Sequence, residues 1–445
     1  MSITDIINEL LTLESISRNL NAPNHRLMFC FCFRTQYTLQ LVMTVAAASP
    51  NPFPTTNSPR VESIDLLRGL VMIIMALDHV RDYFHAQAFL FAPVDLEKTN
   101  LALFLTRFVT HFCAPVFVFL AGTSGCMIRD RKGSKAASSF LFKRGIWLIV
   151  LELTVINFAW FFNIRFPFLA LTVIWALAIG MIVLSAFVHL NKGISIAVGI
   201  ALVFGHNLLD GVHMAGEGLP SVLWSLLHEP HLYRFNSLDV FVGYPILPWV
   251  GVMLLGYSFG SLYVRGFSQY TRKQILLYMG VGSVALFILL RMVNVYGDLH
   301  AWTVQSSPIM TFLSFINVTK YPPSLDYILI TLGPSFIFLA YSENWKGRVA
   351  ADVIALGRVP MFYYILHILV IHLIALFAAI STGFHASDMI FDTWVTDSPK
   401  LKGYGFSLTV VYAIWIIVVV MLLPLCKWYD RYKQTNRSKW WLSYL

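Results

Sequence analysis

Arg68, Asp78, His79, Asp82 and His85 stand within one apolar stretch, RVESIDLLRGLVMIIMALDHVRDYFH, at residues 60–85. A histidine beside a carboxylate can act as a general base. The free imidazole titrates near pH ~6.5, and such a group strips the proton from an attacking amine or hydroxyl in acyl transfer. Asp78 and Asp82 are the carboxylates nearest His79 in sequence. At about 100° per residue, Arg68 and His79 share a helical face to within ~20°, with Asp65, Met72, Met75 and Asp82 near the same stripe. A rise of ~1.5 Å per residue puts Arg68 and His79 roughly 16 Å apart along the axis. Ionised groups at membrane depth are costly, so they usually face a bundle interior or a wet cavity. A structural reading competes: Asp82 pairs with Arg81 or Arg107 and closes the helix end. His85 falls where the helix ends and reads as either an interfacial loop histidine or a second base.

Other polar groups sit in apolar settings. His111 lies in THFCAPVFVFLAG, where Pro115 bends the helix. Glu152 is surrounded by WLIVLELTVINF, and its expected partner is Arg68, Lys143 or Arg144. His367 and His372 are about 140° apart around one helix, so at most one of them faces a given cavity. Lys320 and Tyr321, in NVTKYPPSLDY, are placed to contact a substrate. His228 and His231 flank Pro230, with no third ligand evident in sequence, so no metal is expected. GYSFG at 256–260 and GVGSVA at 280–285 spell a nucleophile elbow and a dinucleotide fingerprint, but both lie in apolar helical sequence without a preceding strand. No Walker A loop is present, and the five cysteines lack metal-site spacing and read as small packed thiols.

These residues need a scaffold that buries charge. The chain has 445 residues, 57% hydrophobic and 12% charged, with mean hydropathy +0.68. This is the composition of an all-α polytopic membrane bundle. Apolar runs predict about ten helices, at 63–84, 101–128, 142–163, 168–189, 194–210, 239–264, 274–296, 325–343, 351–380 and 406–429. Residues 219–227 and 309–316 read as short interfacial or dipping segments. Lys and Arg concentrate in alternate loops, including Arg129, Arg131, Lys132, Lys143 and Arg144, then Arg272 and Lys273, and finally Lys427 to Lys439. The positive-inside rule therefore puts both termini in the cytoplasm, Arg68 toward the cytoplasmic side and His79 toward the outer side. The clustered basic residues are a topology signal and give no reason to expect nucleic acid. Residues 1–59 read as an N-terminal extension, disordered or belonging to an over-extended start with Met43 as the initiator, ahead of a domain over 60–445.

The block 60–84 resembles the opening of bacterial membrane proteins grouped with heparan-α-glucosaminide N-acetyltransferase, and of the wider membrane acyltransferases that modify surface sugars. The matching positions are Asp65, Arg68, Gly69 and His79. FCAPVFVFLAGTSG, LPWVGVMLLGYSFG, LGRVPMFYYILH and the terminal WWLSYL are also similar to the bacterial branch. The lysosomal member has Asn at the position of His79 and its catalytic His farther along the following loop, where His85 is the nearest counterpart by order. The resemblance implies transfer of an acetyl group from cytoplasmic acetyl-CoA to an amino sugar or sugar hydroxyl across the bacterial inner membrane. Arg68, Lys143 and Arg144 would draw the CoA phosphates. His79 or His85, tuned by Asp78 or Asp82, would take the acceptor's proton, and His111, Lys320, Tyr321 and His367 are substrate-side candidates. Lipids, acetyl-CoA and a carbohydrate or glycolipid acceptor are the expected partners, and a homodimer is compatible with the sequence. The rival from another class is a proton-coupled transporter using Asp78, His79 and Glu152 as a relay.

Overall fold

The computed structural model describes residues 61–436 and 438–443. The expected extension over 1–59 lies outside them. The chain order opens with α1 (Glu62–Phe84), α2 (Leu101–Thr110), α3 (Cys113–Lys132), α4 (Ser134–Leu151) and α5 (Asn157–Phe161). Strand β1 (Phe168–Leu171) precedes α6 (Val173–Phe187), α7 (Lys192–Gly205) and α8 (Leu219–Leu227). Strands β2 (His231–Phe235) and β3 (Leu238–Val242) lead into α9 (Ile246–Phe259), α10 (Gln269–Val293) and α11 (Pro308–Ile316). The rest is α12 (Leu325–Ser342), α13 (Arg348–Arg358), α14 (Pro360–Ser381) and α15 (Leu408–Thr435). Among the described residues, seven helical segments are long and apolar enough to cross a membrane. Helix α1 is not among them, because its charges interrupt the apolar window.

Prolines set two of the breaks. Pro115 has no N–H to donate to the carbonyl of His111, four residues back, and the helical rod divides into α2 and α3 at that point. The freed His111 carbonyl accepts instead from the Tyr327 hydroxyl at 2.8 Å. Pro360 begins α14 after Val359 leaves the helical region, so the helix expected over 351–380 is two helices, α13 and α14. The helix expected over 142–163 contains a π-turn at Glu152–Ile156.

The sheet is the larger departure. Residues 168–171 and 239–242, expected at helix starts, are strands in a three-stranded sheet of order β1-β3-β2. A left-handed Asn236 (φ 45°) turns β2 into the antiparallel β3. β3 is parallel to β1, with Phe168 opposite Asp239. Asn157 pins β1 by accepting from the Ala170 N–H at 2.7 Å and donating to the Ala170 carbonyl at 3.1 Å. Glu152 accepts from the Thr172 N–H at 2.5 Å. It meets none of Arg68, Lys143 and Arg144 through its hydrogen bonds, so the expected cation pairing is replaced by a backbone clip at the strand end.

Helix α1 is central and packs against α3, α13, α14 and α15. At its charged end it crosses α13 backbone to backbone. A Cβ on Gly69 would overlap the Val353 carbonyl, and one on Gly357 would overlap the Asp65 carbonyl. We expect Gly357→Val to destabilise the fold by about 2–3 kcal/mol, because neither backbone can retreat without unpacking α1. Gly282→Ala, where an added Cβ meets nothing within 4 Å, is the control. Thermal unfolding in detergent compares the two, and equal melting temperatures would refute the tight crossing.

Candidate active site

The C-terminal end of α1 forms one wall of a cavity of about 750 Å³. Asp78, His79, Asp82 and His85 all line it, so the four residues read from one helix do share one space. Arg107 and His111 reach it from the end of α2, Lys320 and Tyr321 from the segment before α12, and Trp394 from the loop after α14. His367 is not among its lining residues; it sits behind His79, fully buried on α14.

The His79–His367 pair determines a proton arrangement. His367 Nδ1 lies 2.9 Å from the Tyr363 carbonyl, which only accepts. With each ring carrying one proton, that proton belongs on His367 Nδ1 and leaves Nε2 as an acceptor. His79 Nδ1 lies 2.7 Å from His367 Nε2, so it is the donor. The lone pair of His79 is then on Nε2, the nitrogen that makes no hydrogen bond among the described residues. Stacking of the two rings at 4.9 Å and the edge of Trp160 at 4.7 Å hold this orientation. A carbonyl, a histidine and a second histidine thus present an imidazole base toward a cavity, which is the orienting logic of a nucleophile-activating base.

His79 is therefore supported by His367, and neither neighbouring carboxylate holds it. Arg107 donates to both oxygens of Asp78 at 2.8 and 2.6 Å. Arg81 approaches Asp78 at 2.9 Å, and Lys320 Nζ at 3.9 Å. Asp82 takes Arg81 at 2.6 Å. The helix-end salt bridge expected for Asp82 is present, and a larger one surrounds Asp78. Asp78 and Asp82, expected to tune His79, are held by these cations and make no hydrogen bond to it among the described residues.

His85 has no comparable support. It follows the last turn of α1, where the backbone on either side pairs with Phe406, and its Nδ1 has no partner. Burial pushes its imidazole below the usual histidine range, and Arg81 pushes it the same way. The Tyr321 hydroxyl is raised by burial, but Lys320 and Arg107 outweigh that and bring it below the usual phenol range. Lys320 sits 5.2 Å over the Tyr321 ring. His372, excluded from His367's direction by helical geometry, is fixed to the Ala159 and Met389 carbonyls.

A second cavity, of about 220 Å³, lies at the other end of the α1 stripe, lined by Arg68, Met72, Met75, Ser124 and Arg144. Arg358 and Lys433 complete its basic wall. Arg68 pairs with Asp65 at 2.9 Å and donates to the Gly357 carbonyl at 3.2 Å. Lys143 is exposed and does not line the cavity, contrary to its grouping with Arg68 and Arg144. Arg358, at the end of α13, and Lys433, in the last turns of α15, lie far from Arg68 in sequence, and no local spacing signals that they converge on it. Val173 and Tyr364 line both cavities, so the two share a partition that includes these side chains.

A sequence profile of the family described as heparan-alpha-glucosaminide N-acetyltransferase, catalytic, matches residues 60–293. That span contains His79, Arg107 and both members of the Asn157–β1 clip, while His367, Arg358 and Lys320 lie beyond it. No curated protein matches the chain. With seven long apolar helical segments among the described residues and the profile covering more than half of its length, the chain belongs to the heparan-alpha-glucosaminide N-acetyltransferase catalytic family and is an acetyltransferase-type integral membrane enzyme.

Proposed function

We propose that the enzyme moves an acetyl group from acetyl-CoA, bound at the Arg68 end of α1, to an amino sugar or sugar hydroxyl held in the His79 cavity. The single observation that carries this reading is the shared wall: two cavities at opposite ends of one polar helical face, with Val173 and Tyr364 lining both. The smaller one has the guanidinium and ammonium groups that grip phosphates. The larger one has the base, with volume for a sugar. Basic loops flank the Arg68 end, so the positive-inside rule assigns that end to the cytoplasm and the His79 end to the outer face of a bacterial inner membrane.

The thioester extends past Met72 and Met75 to the partition. The acceptor nitrogen or oxygen attacks the carbonyl carbon, and its proton passes to His79 Nε2. The new C–N or C–O bond forms as the C–S bond breaks, and the CoA thiolate leaves toward the basic end and takes up a proton there.

The test is release of free CoA from acetyl-CoA by the purified enzyme with a panel of hexosamines and hexosides. Arg144→Gln is expected to raise KM for acetyl-CoA about tenfold or more with little change in kcat, since one charge-assisted contact is worth ~1.5–3 kcal/mol. Absence of CoA release with every acceptor, or sugar accumulation in proteoliposomes without CoA, would replace this reading with transport.

A further inference from the structure

Away from both cavities, His206, Asp210 and His228 bring one donor atom each to within 4.8 Å of one another. None of the three lines either cavity. His206 follows the end of α7, Asp210 closes the short turn after it, and His228 caps α8. Both histidines are 2% exposed. His228 Nε2 is 3.0 Å from Asp210 Oδ1. Among the described residues neither ring nitrogen of His206 has a hydrogen-bond partner, although its ring lies 5.7 Å from that of His228.

The contact with Asp210 accounts for His228 Nε2 but leaves His228 Nδ1 and both ring nitrogens of His206 without a partner among the described residues. A buried imidazole with two orphan nitrogens forfeits hydrogen bonds on both, and proteins rarely tolerate that without a ligand. The carboxylate is also oriented from outside the cluster. Asn207 donates to Asp210 Oδ2 at 2.8 Å and accepts from the Leu325 N–H at 3.0 Å. Such outer hydrogen bonds aim a carboxylate at a metal.

We infer that His206, Asp210 and His228 bind a divalent transition metal, with zinc the best match. Two imidazoles and a carboxylate form a borderline-hard N₂O donor set that suits zinc and leaves a fourth position for water. Tetrahedral ligands at ~2.0–2.2 Å sit roughly 3.4 Å apart, so His206 closes on the pair by a small side-chain rotation. The metal ties the end of α7 to the end of α8, and through Asn207 to the start of α12. It acts as a structural clip for that corner and leaves the transfer chemistry to the His79 cavity. Sequence spacing pairs His228 with His231, but His231 begins β2 and belongs to a different surface.

The full-length protein, purified in detergent without a histidine tag, is dialysed against zinc, desalted and assayed for bound metal by mass spectrometry. About one zinc per chain is expected, with occupancy reduced at least tenfold in His206→Ala and in the near-isosteric Asp210→Asn. A strong chelator should lower the wild-type Tm by roughly 5 °C, zinc should restore it, and the Asp210→Asn Tm should not respond. If His206→Ala does not fold, the wild-type chelator response and Asp210→Asn still decide. Zinc below ~0.1 per chain in the wild type, a Tm indifferent to chelator, or full occupancy in Asp210→Asn overturns the assignment.

Discussion

Replacing His79 with alanine will lower kcat for acetyl transfer by roughly 10²–10⁴-fold, the usual contribution of a positioned general base. KM for acetyl-CoA should stay close to wild type, because the cofactor's phosphates are assigned to the far end of α1, beside Arg68 and Arg358. His367→Phe keeps ring volume but removes the acceptor for His79 Nδ1. It should lose an intermediate part of the rate, since His79 can then adopt the unproductive tautomer. His85→Ala should cost less than about tenfold, because no hydrogen-bonded relay stands behind His85. Steady-state kinetics and single turnover from acetyl-CoA distinguish these outcomes. More than a tenth of wild-type kcat in His79→Ala would sink the relay, and an equal loss in His85→Ala would move the base six residues along the chain. Added imidazole should restore part of the His79→Ala rate, which a merely structural role for the ring would not allow.

Much of this site was legible in residues 60–85 because helical periodicity is local. Spacing alone put Arg68 and His79 on one stripe, and the two ends of that stripe do open into two cavities. What spacing could not supply were partners from far along the chain. His367 is 288 residues from His79, and nothing near either residue announces the pairing. The same gap hid Arg107 as the partner of Asp78, because sequence proximity favours Arg81. Angular reasoning did succeed on α14, where it forbade His367 and His372 a common target; one meets His79 and the other meets backbone carbonyls.

The fold was legible where apolar length decides and illegible where a few residues override it. Hydropathy windows merge α13 and α14 across Val359–Pro360, although proline at a first helical position is a boundary signal. They likewise merge β3 with α9, because both are apolar and only Gly243, Tyr244 and Pro245 lie between. The sheet matters to function in spite of its size. Its strand β1 sets Thr172 and Val173 at the entry to α6, and Val173 lines both cavities. Glu152, expected to pair with a cation, instead fastens that strand together with Asn157.

Arg107→Ala is expected to destabilise the protein by about 3 kcal/mol, the largest single stability effect among the residues around the cavity. Arg107 and Asp78 are both largely buried, at 13% and 11% side-chain exposure. Breaking a buried pair leaves an uncompensated charge, at a cost of ~3–5 kcal/mol. Arg81 at 2.9 Å and Lys320 at 3.9 Å remain near Asp78, which places the expectation at the lower end of that range. Asp78→Asn in the Arg107→Ala background should recover part of the loss, because the stranded charge is then removed. Unfolding of the four proteins in detergent completes the double-mutant cycle. A coupling below about 0.5 kcal/mol would show that the pair is merely adjacent. The pair joins α1 to α2 one residue before His79, so its loss should also loosen the base. Arg107→Ala should then lower kcat at temperatures where the fold persists, and Arg107→Lys, which retains a charge but not the guanidinium Nη1 that donates to both Asp78 oxygens, should fall between.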